Sequence, residues 1–219
     1  MPATRIHLVR HGEVHNPEGV LYGRLPHFAL SDLGHQMADL AAQELLNAGR
    51  PVSAIFCSPL LRTRESAEHI RAAFSGSLDL QIEERIIEPY NIFEGKKLSL
   101  GRVLIRPHLW FHLRNPGRPS WGEPFASVSA RMIAAMDSAL LATEDGAANG
   151  DIVMVSHQMP IWITHLTAVK AALAHDPRKR RCALSSITSF ERRDGAWVEV
   201  EYRDPAASLR INAIDVGAV

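Results

Sequence analysis

Apolar and polar positions alternate over residues 5–10 (RIHLVR), where Ile6, Leu8 and Val9 supply the apolar side of a short strand that Gly12 ends. Three further runs predict strands: VSAIFC near 53–57, LQIEERII over 80–87 and DIVMVS over 151–156, the last being the most apolar. Between them the apolar period lengthens to that of a helix. Met37, Leu40, Ala41 and Leu45 mark one face of a helix from a Ser31 N-cap to about Ala48, and Gly49 and Pro51 stop it. Ser58 and Pro59 suit the N-cap and first turn of a second helix that runs to about Phe74. Val128, Met132, Met136 and Leu140 mark a third helix from Phe125 to Ala142, and Pro160 opens a fourth. Residues 89–124 are irregular, and ITSFERRDGAWVEVEY predicts a hairpin about Asp194-Gly195.

The order strand–helix–strand–helix, insertion, helix–strand–helix, hairpin predicts an α/β fold. We expect a three-layer sandwich with a mainly parallel central sheet flanked by helices, plus an inserted flap and a C-terminal hairpin. The 219 residues suit a single domain, 1–219, with the flap at about 96–124. Ligands of such sheets bind at the carboxyl ends of the strands.

Composition narrows the partners. Lys+Arg and Asp+Glu both total 24, so the formal net charge is zero and any positive site must be local; neither nucleic acid nor an anionic membrane surface is expected. Cys57 and Cys182 form no metal-binding spacing, and the N-terminus lacks the pattern of a signal peptide. No continuous apolar run approaches the ~20 residues of a membrane span. A cytoplasmic protein is expected, with the oligomeric state left open and a dimer compatible with it.

Polar residues gather where the strands end. Arg10 and His11 follow the first strand, Arg62 lies in the first turn of the second helix, Glu88 follows RII, and His157 follows DIVMVS. Arginine offers paired planar donors to phosphate oxygens, and a helix N-terminus adds backbone N–H groups. Guanidinium groups beside His11 disfavour its imidazolium form, leaving a neutral nucleophile, while Glu88 is suited to carry a proton to or from oxygen.

Taken in order, LVRHGE, SPLLRTRESA, the acid in RIIEPYNIFEG and VSHQMPI resemble the histidine phosphatase superfamily, the phosphoglycerate-mutase-like group, over roughly residues 5 to 200. The resemblance implies that His11 attacks phosphorus while Arg10, Arg62 and His157 hold the equatorial oxygens. It implies that Glu88 protonates the leaving group and then activates water. It implies no metal and no other cofactor, and a small phosphorylated metabolite as substrate. The implied activity is that of a phosphatase working through a phosphohistidine; a phosphomutase shares that chemistry, and a phosphate-binding module with little turnover is the rival of another class.

The chain departs from the family pattern in places. Gln158 stands where glycine usually follows the second histidine, in a position to narrow the pocket or reach substrate. Asn16 matches the usual downstream asparagine one residue early, and Arg24 matches an auxiliary oxygen-binding arginine with an irregular loop length. The acid segment is one residue short, which makes Glu94 a rival to Glu88. Glu123, in WGEPF, is expected to orient other groups.

Three other patterns have blander readings. His7, His11 and His15 recur every fourth residue, but Gly12 and the strand character of RIHLVR argue against a metal site. The basic run at 177–181 (PRKRR) is either a solvated loop or a lure for anionic substrate. The flap, with Arg106, Trp110, Phe111, His112, Arg114, Arg118 and Trp121, either covers the organic part of the substrate or packs on the domain.

Overall fold

A computed structural model describes residues 4–76, 78–97, 122–145 and 150–215. The flap expected at 96–124, with its arginines and aromatics, lies almost wholly outside the described residues. Six strands form one sheet in the order β3-β2-β4-β1-β5-β6. They are β1 (Arg5–Arg10), β2 (Val52–Cys57), β3 (Leu80–Ile82), β4 (Asp151–Ser156), β5 (Ile187–Arg193) and β6 (Ala196–Arg203). The helices are α1 (Asp32–Asn47), α2 (Leu61–Ala73), α3 (Phe125–Asp145) and α4 (Gln158–Ala168). β3, β2, β4 and β1 pair in parallel, whereas β5 pairs antiparallel with β1 and β6 antiparallel with β5.

The two-residue period of the strands sorts the core into two layers. Ile6, Leu8, Ala54, Phe56, Ile152 and Met154 face one way and pack with Val128, Met132 and Met136 of α3 and Ile161 and Ile163 of α4. Val9, Ile55, Cys57, Val153 and Val155 face the other way, onto Ala41, Ala42 and Leu45 of α1 and Ala67 and Ile70 of α2. Helices therefore cover both faces of the central strands, and every residue of β4 is buried. The three-layer α/β sandwich is observed.

Local signals set most boundaries. Ser31 caps α1, its side chain accepting from the Gly34 N–H at 3.0 Å. Asp194 and Gly195 take positive φ values of 49° and 78°, as a tight two-residue hairpin requires, and Arg193 pairs with Ala196. Cys57 and Cys182 are both free and buried.

Three expectations need correction. The strand expected over 80–87 is only Leu80–Ile82, followed by a 3-10 turn at Glu84–Ile86. Glu83 breaks the strand, its carboxylate taking both the Arg85 N–H (2.9 Å) and the Arg85 guanidinium (2.8 Å). Second, α2 starts at Leu61 with Leu60 as its N-cap and no side-chain cap, so Ser58 does not cap it. Third, Phe125–Thr143 reaches a mean hydropathy of 1.3 and is long enough to cross a membrane, which a search for continuous apolar runs overlooks. Val128, Met132, Ala135 and Met136 on that helix are packed in the core.

Candidate active site

The register of the parallel pairs builds the site. Arg10 of β1 lies opposite Ser156 of β4, so His11 and His157 leave neighbouring strands side by side, their ring centroids 5.3 Å apart. The His11 N–H donates to the Ser156 carbonyl at 3.2 Å. β2 flanks β4 on the other side, and the Ser58 N–H donates to the Val155 carbonyl at 3.0 Å. Ser58 Oγ thereby reaches His157 Nε2 at 2.8 Å.

Glu88 arrives by a different route. Ser156 Oγ donates to the Ile86 carbonyl at 2.7 Å, pinning the 3-10 turn to the end of β4. Arg24 Nε donates to the carbonyl of Glu88 itself at 2.6 Å, and Glu123 holds Arg24 (3.3 Å) and Arg131 (2.9 Å). The Glu88 carboxylate then lies 3.8 Å from His157 Nδ1.

Arg10, His11, Arg62, Glu88 and His157 are all buried. His11 Nδ1 lies 2.7 Å from the Gly12 carbonyl, so Nδ1 carries the proton and Nε2 keeps its lone pair. Burial, and then the charges of Arg62 and Arg10, hold its pKa well below 6.5. Burial, and then Arg62, do the same to His157. Burial raises Glu88 to about 7 against the opposing pull of Arg62 and Arg180. The site thus holds two neutral imidazoles and a carboxyl group that titrates near neutrality.

Arg62 stacks over the Tyr22 ring at 4.7 Å and donates from Nη2 to the Gly23 carbonyl at 2.7 Å. Arg10 gives its Nη atoms to the Cys182 carbonyl and to Asp215. Among the described residues, Arg10 Nε, Arg62 Nε and Nη1, His157 Nδ1 and both Glu88 oxygens are buried without a hydrogen-bond partner. So many unmet buried polar atoms in one place are rare in a folded protein, and a bound polar group explains them.

The remaining expected residues fall around this centre. Asn16 bonds both the N–H (3.2 Å) and the carbonyl (2.9 Å) of Val20, closing its own loop. Gln158, the first residue of α4, accepts from Arg180 at 3.2 Å. Glu94, the rival acid, is half-buried, and its Oε1 accepts from the Asn91 N–H at 3.2 Å. The three histidines of the four-residue repeat diverge: His7 bonds Asp151 and Ser189, and His15 is exposed. Sequence reading missed Tyr22, Ser58 as the partner of His157, Arg180 and Asp215. Only the neighbouring serine-proline and tyrosine-glycine-arginine motifs offered any signal for the first two.

A sequence profile described as the histidine phosphatase superfamily (branch 1) matches residues 6–205. The uncharacterized protein Rv0525 of Mycobacterium tuberculosis strain H37Rv is 44% identical over 205 residues, which span 93% of this chain and 98% of that protein. Among solved structures, Bacillus stearothermophilus YhfR superposes with a TM-score of 0.74 at 24% identity, covering 90% of this chain and 96% of that one. An Entamoeba histolytica phosphoserine phosphatase in complex with 3-phosphoglyceric acid superposes with a TM-score of 0.69 at 26% identity, covering 91% and 96%. With strand register, fold and profile in agreement, the chain belongs to the histidine phosphatase superfamily, branch 1.

Proposed function

We propose that this protein hydrolyses a phosphomonoester of a small metabolite through a phosphohistidine on His11. One observation carries the reading: unpartnered buried N–H groups of Arg10 and Arg62, and the unpartnered Nδ1 of His157, stand beside a histidine whose Nε2 lone pair is free. A phosphoryl group supplies the acceptors that these donors lack and the negative charge that the guanidiniums lack.

The chemistry runs in two steps. His11 Nε2 attacks phosphorus as the P–O ester bond breaks, and the Glu88 carboxylic acid gives its proton to the leaving oxygen. Glu88, now a carboxylate, takes a proton from water; the resulting hydroxide attacks phosphorus, the P–N bond breaks, and phosphate leaves. A Glu88 pKa of about 7 suits both roles, because the acid and its conjugate base are both populated near neutrality. Arg10, Arg62 and His157 hold the equatorial oxygens while charge redistributes between the two apical positions.

Phosphate release from an aryl phosphate, with His11→Ala as the blank, tests the reading. Turnover in the parent that is lost in the variant supports it; turnover that survives in the variant refutes the nucleophile. Isomer exchange of a phosphorylated hydroxy compound without phosphate release would instead assign a mutase.

A further inference from the structure

Arg10 and Arg62 are both buried at the strand ends, but they are oriented by different means. Arg10 meets a carboxylate, that of Asp215. Arg62 meets a ring face and a carbonyl: its guanidinium carbon lies 4.7 Å over the Tyr22 ring, and Nη2 donates to the Gly23 carbonyl at 2.7 Å. Its Nε and Nη1 are buried without a partner.

We infer that Tyr22 is a positioning residue that acts through Arg62: its ring and the carbonyl of Gly23 fix the guanidinium, so that Nε and Nη1 are preset for a phosphoryl group. The inference rests on the phosphatase reading above only in taking the ligand of this site to be a phosphoryl group.

The ring that carries Arg62 is itself next to the proposed nucleophile. The centroids of the Tyr22 and His11 rings are 6.5 Å apart, in an edge-on arrangement. A tilt of the Tyr22 ring would therefore move a cation beside His11.

A stack orients a cation only if the ring is fixed, and Tyr22 is fixed at both side chain and backbone. The side chain is buried and packs against Phe28, with the two ring centroids 5.3 Å apart. The Leu25 N–H donates to the Tyr22 carbonyl at 2.6 Å, closing a tight turn. Just before it, the Gly95 N–H donates to the Leu21 carbonyl at 2.8 Å, and the Leu21 N–H donates to the Lys96 carbonyl at 3.0 Å. Gly23 takes a φ of 39°, and a Cβ there would stand 2.3 Å from Glu94 Oε1. Glycine is what lets this turn offer its carbonyl to Arg62 while Glu94 packs against it.

A ring face and a neutral carbonyl orient a guanidinium without cancelling its charge, whereas a carboxylate competes with the phosphoryl group for the same donors. Without the ring, the arginine side chain regains rotamers, and binding must order it again at a cost in affinity.

A double-mutant cycle on the binding of inorganic phosphate, read by calorimetry on the full chain, tests the inference. Tyr22→Leu is expected to weaken phosphate about tenfold. Tyr22→Phe, which keeps the ring, should recover most of that loss. In an Arg62→Met background, adding Tyr22→Leu should change the affinity by about twofold at most, because the residue through which Tyr22 acts is gone. Thermal melts establish that each variant is folded; if Tyr22→Leu is not, Tyr22→Met enters the cycle in its place. Equal losses in Tyr22→Phe and Tyr22→Leu would overturn the inference by assigning the effect to the hydroxyl. Full additivity with Arg62→Met, or no binding of phosphate by the wild-type chain, would also overturn it. The cycle reads binding alone. A chain that passes it but releases no phosphate from an aryl phosphate keeps the role of Tyr22 and loses the phosphatase reading; turnover with an additive cycle does the reverse.

Discussion

The carboxylate of Asp215 meets both Nη atoms of Arg10, at 2.9 and 2.5 Å, joining the last described residue of the chain to the end of the first strand. Arg10 is buried, and burial by itself would lower its pKa; Asp215 outweighs that effect and keeps the guanidinium charged. The Ile214 N–H donates to Glu13 Oε1 at 2.6 Å, anchoring the segment one residue earlier. Arg10 Nε is buried without a partner, which makes it a donor for a ligand. Asp215→Ala is therefore expected to cost about 1–3 kcal/mol in stability, because it leaves a buried charge without its counter-ion. It is also expected to raise KM several-fold while changing kcat less. Urea melts and steady-state kinetics check both, and wild-type values for midpoint and KM would remove Asp215 from the positioning of Arg10.

The pKa of Glu88 sets a pH dependence. In the proposed mechanism the phosphorylation step needs Glu88 protonated and His11 neutral, and Glu88 titrates at about 7 while His11 stays well below 6.5. We expect kcat/KM to fall as pH rises through about 7, and Glu88→Gln to remove that limb while lowering the rate by about 10²- to 10⁴-fold. Glu94→Gln should keep the limb, because Glu94 is occupied with the Asn91 N–H. A limb that vanishes in the Glu94 variant and persists in the Glu88 variant would reassign the acid.

The same group should weaken the fold at high pH. Its folded pKa of about 7 lies above the ordinary 4.5. Stability linked to this proton is therefore complete below about 4.5 and is lost as pH rises through about 7. A shift of that size corresponds to about 3 kcal/mol as an upper limit. Glu88→Gln should melt higher relative to wild type at pH 8 than at pH 5. Scanning calorimetry at the two values decides it; a gap between the two proteins that does not change with pH would mean that the carboxyl is not held protonated by burial.

Backbone contact beside His11 leaves no room for a side chain. A Cβ on Gly12 would stand 2.3 Å from the Gly34 carbonyl oxygen, and one on Gly34 would stand 2.0 Å from the Glu13 carbonyl oxygen. Both obstacles are main chain, so neither can swing aside. Gly12→Ala is expected to destabilise the protein by about 1–3 kcal/mol or more. It should also lower kcat, because the Gly12 carbonyl that orients His11 must move. Thermal melts and phosphate release check both, and a variant with wild-type stability would show that β1 and α1 can separate at this point.

How much could be read in advance follows from the range of each interaction. Local patterns determined β1, β4, α1 and the hairpin, because a two-residue period, a serine N-cap or an Asp-Gly turn acts within a few residues. Strand ends were also legible, and with them Arg10, His11 and His157, because a cation and an imidazole placed straight after an apolar run are costly unless something binds them. The 80–87 strand failed because Glu83 and Arg85 compete with the sheet for the backbone, a contest that apolar periodicity does not register. Ser58 looked like a cap and instead orients His157, which depends on the register of β2 against β4.

The sequence by itself determined the layers, the polar residues at the strand ends and the family, because these rest on spacing along the chain. Tertiary structure alone decided which charges meet. Arg10 finds Asp215, Arg180 finds Gln158, and Glu88 comes within 3.8 Å of His157 only after the sheet aligns its strand ends and expels water from between them. Burial then lifts the Glu88 pKa and lowers those of both histidines, and burial is a property of the packed chain that no local stretch possesses.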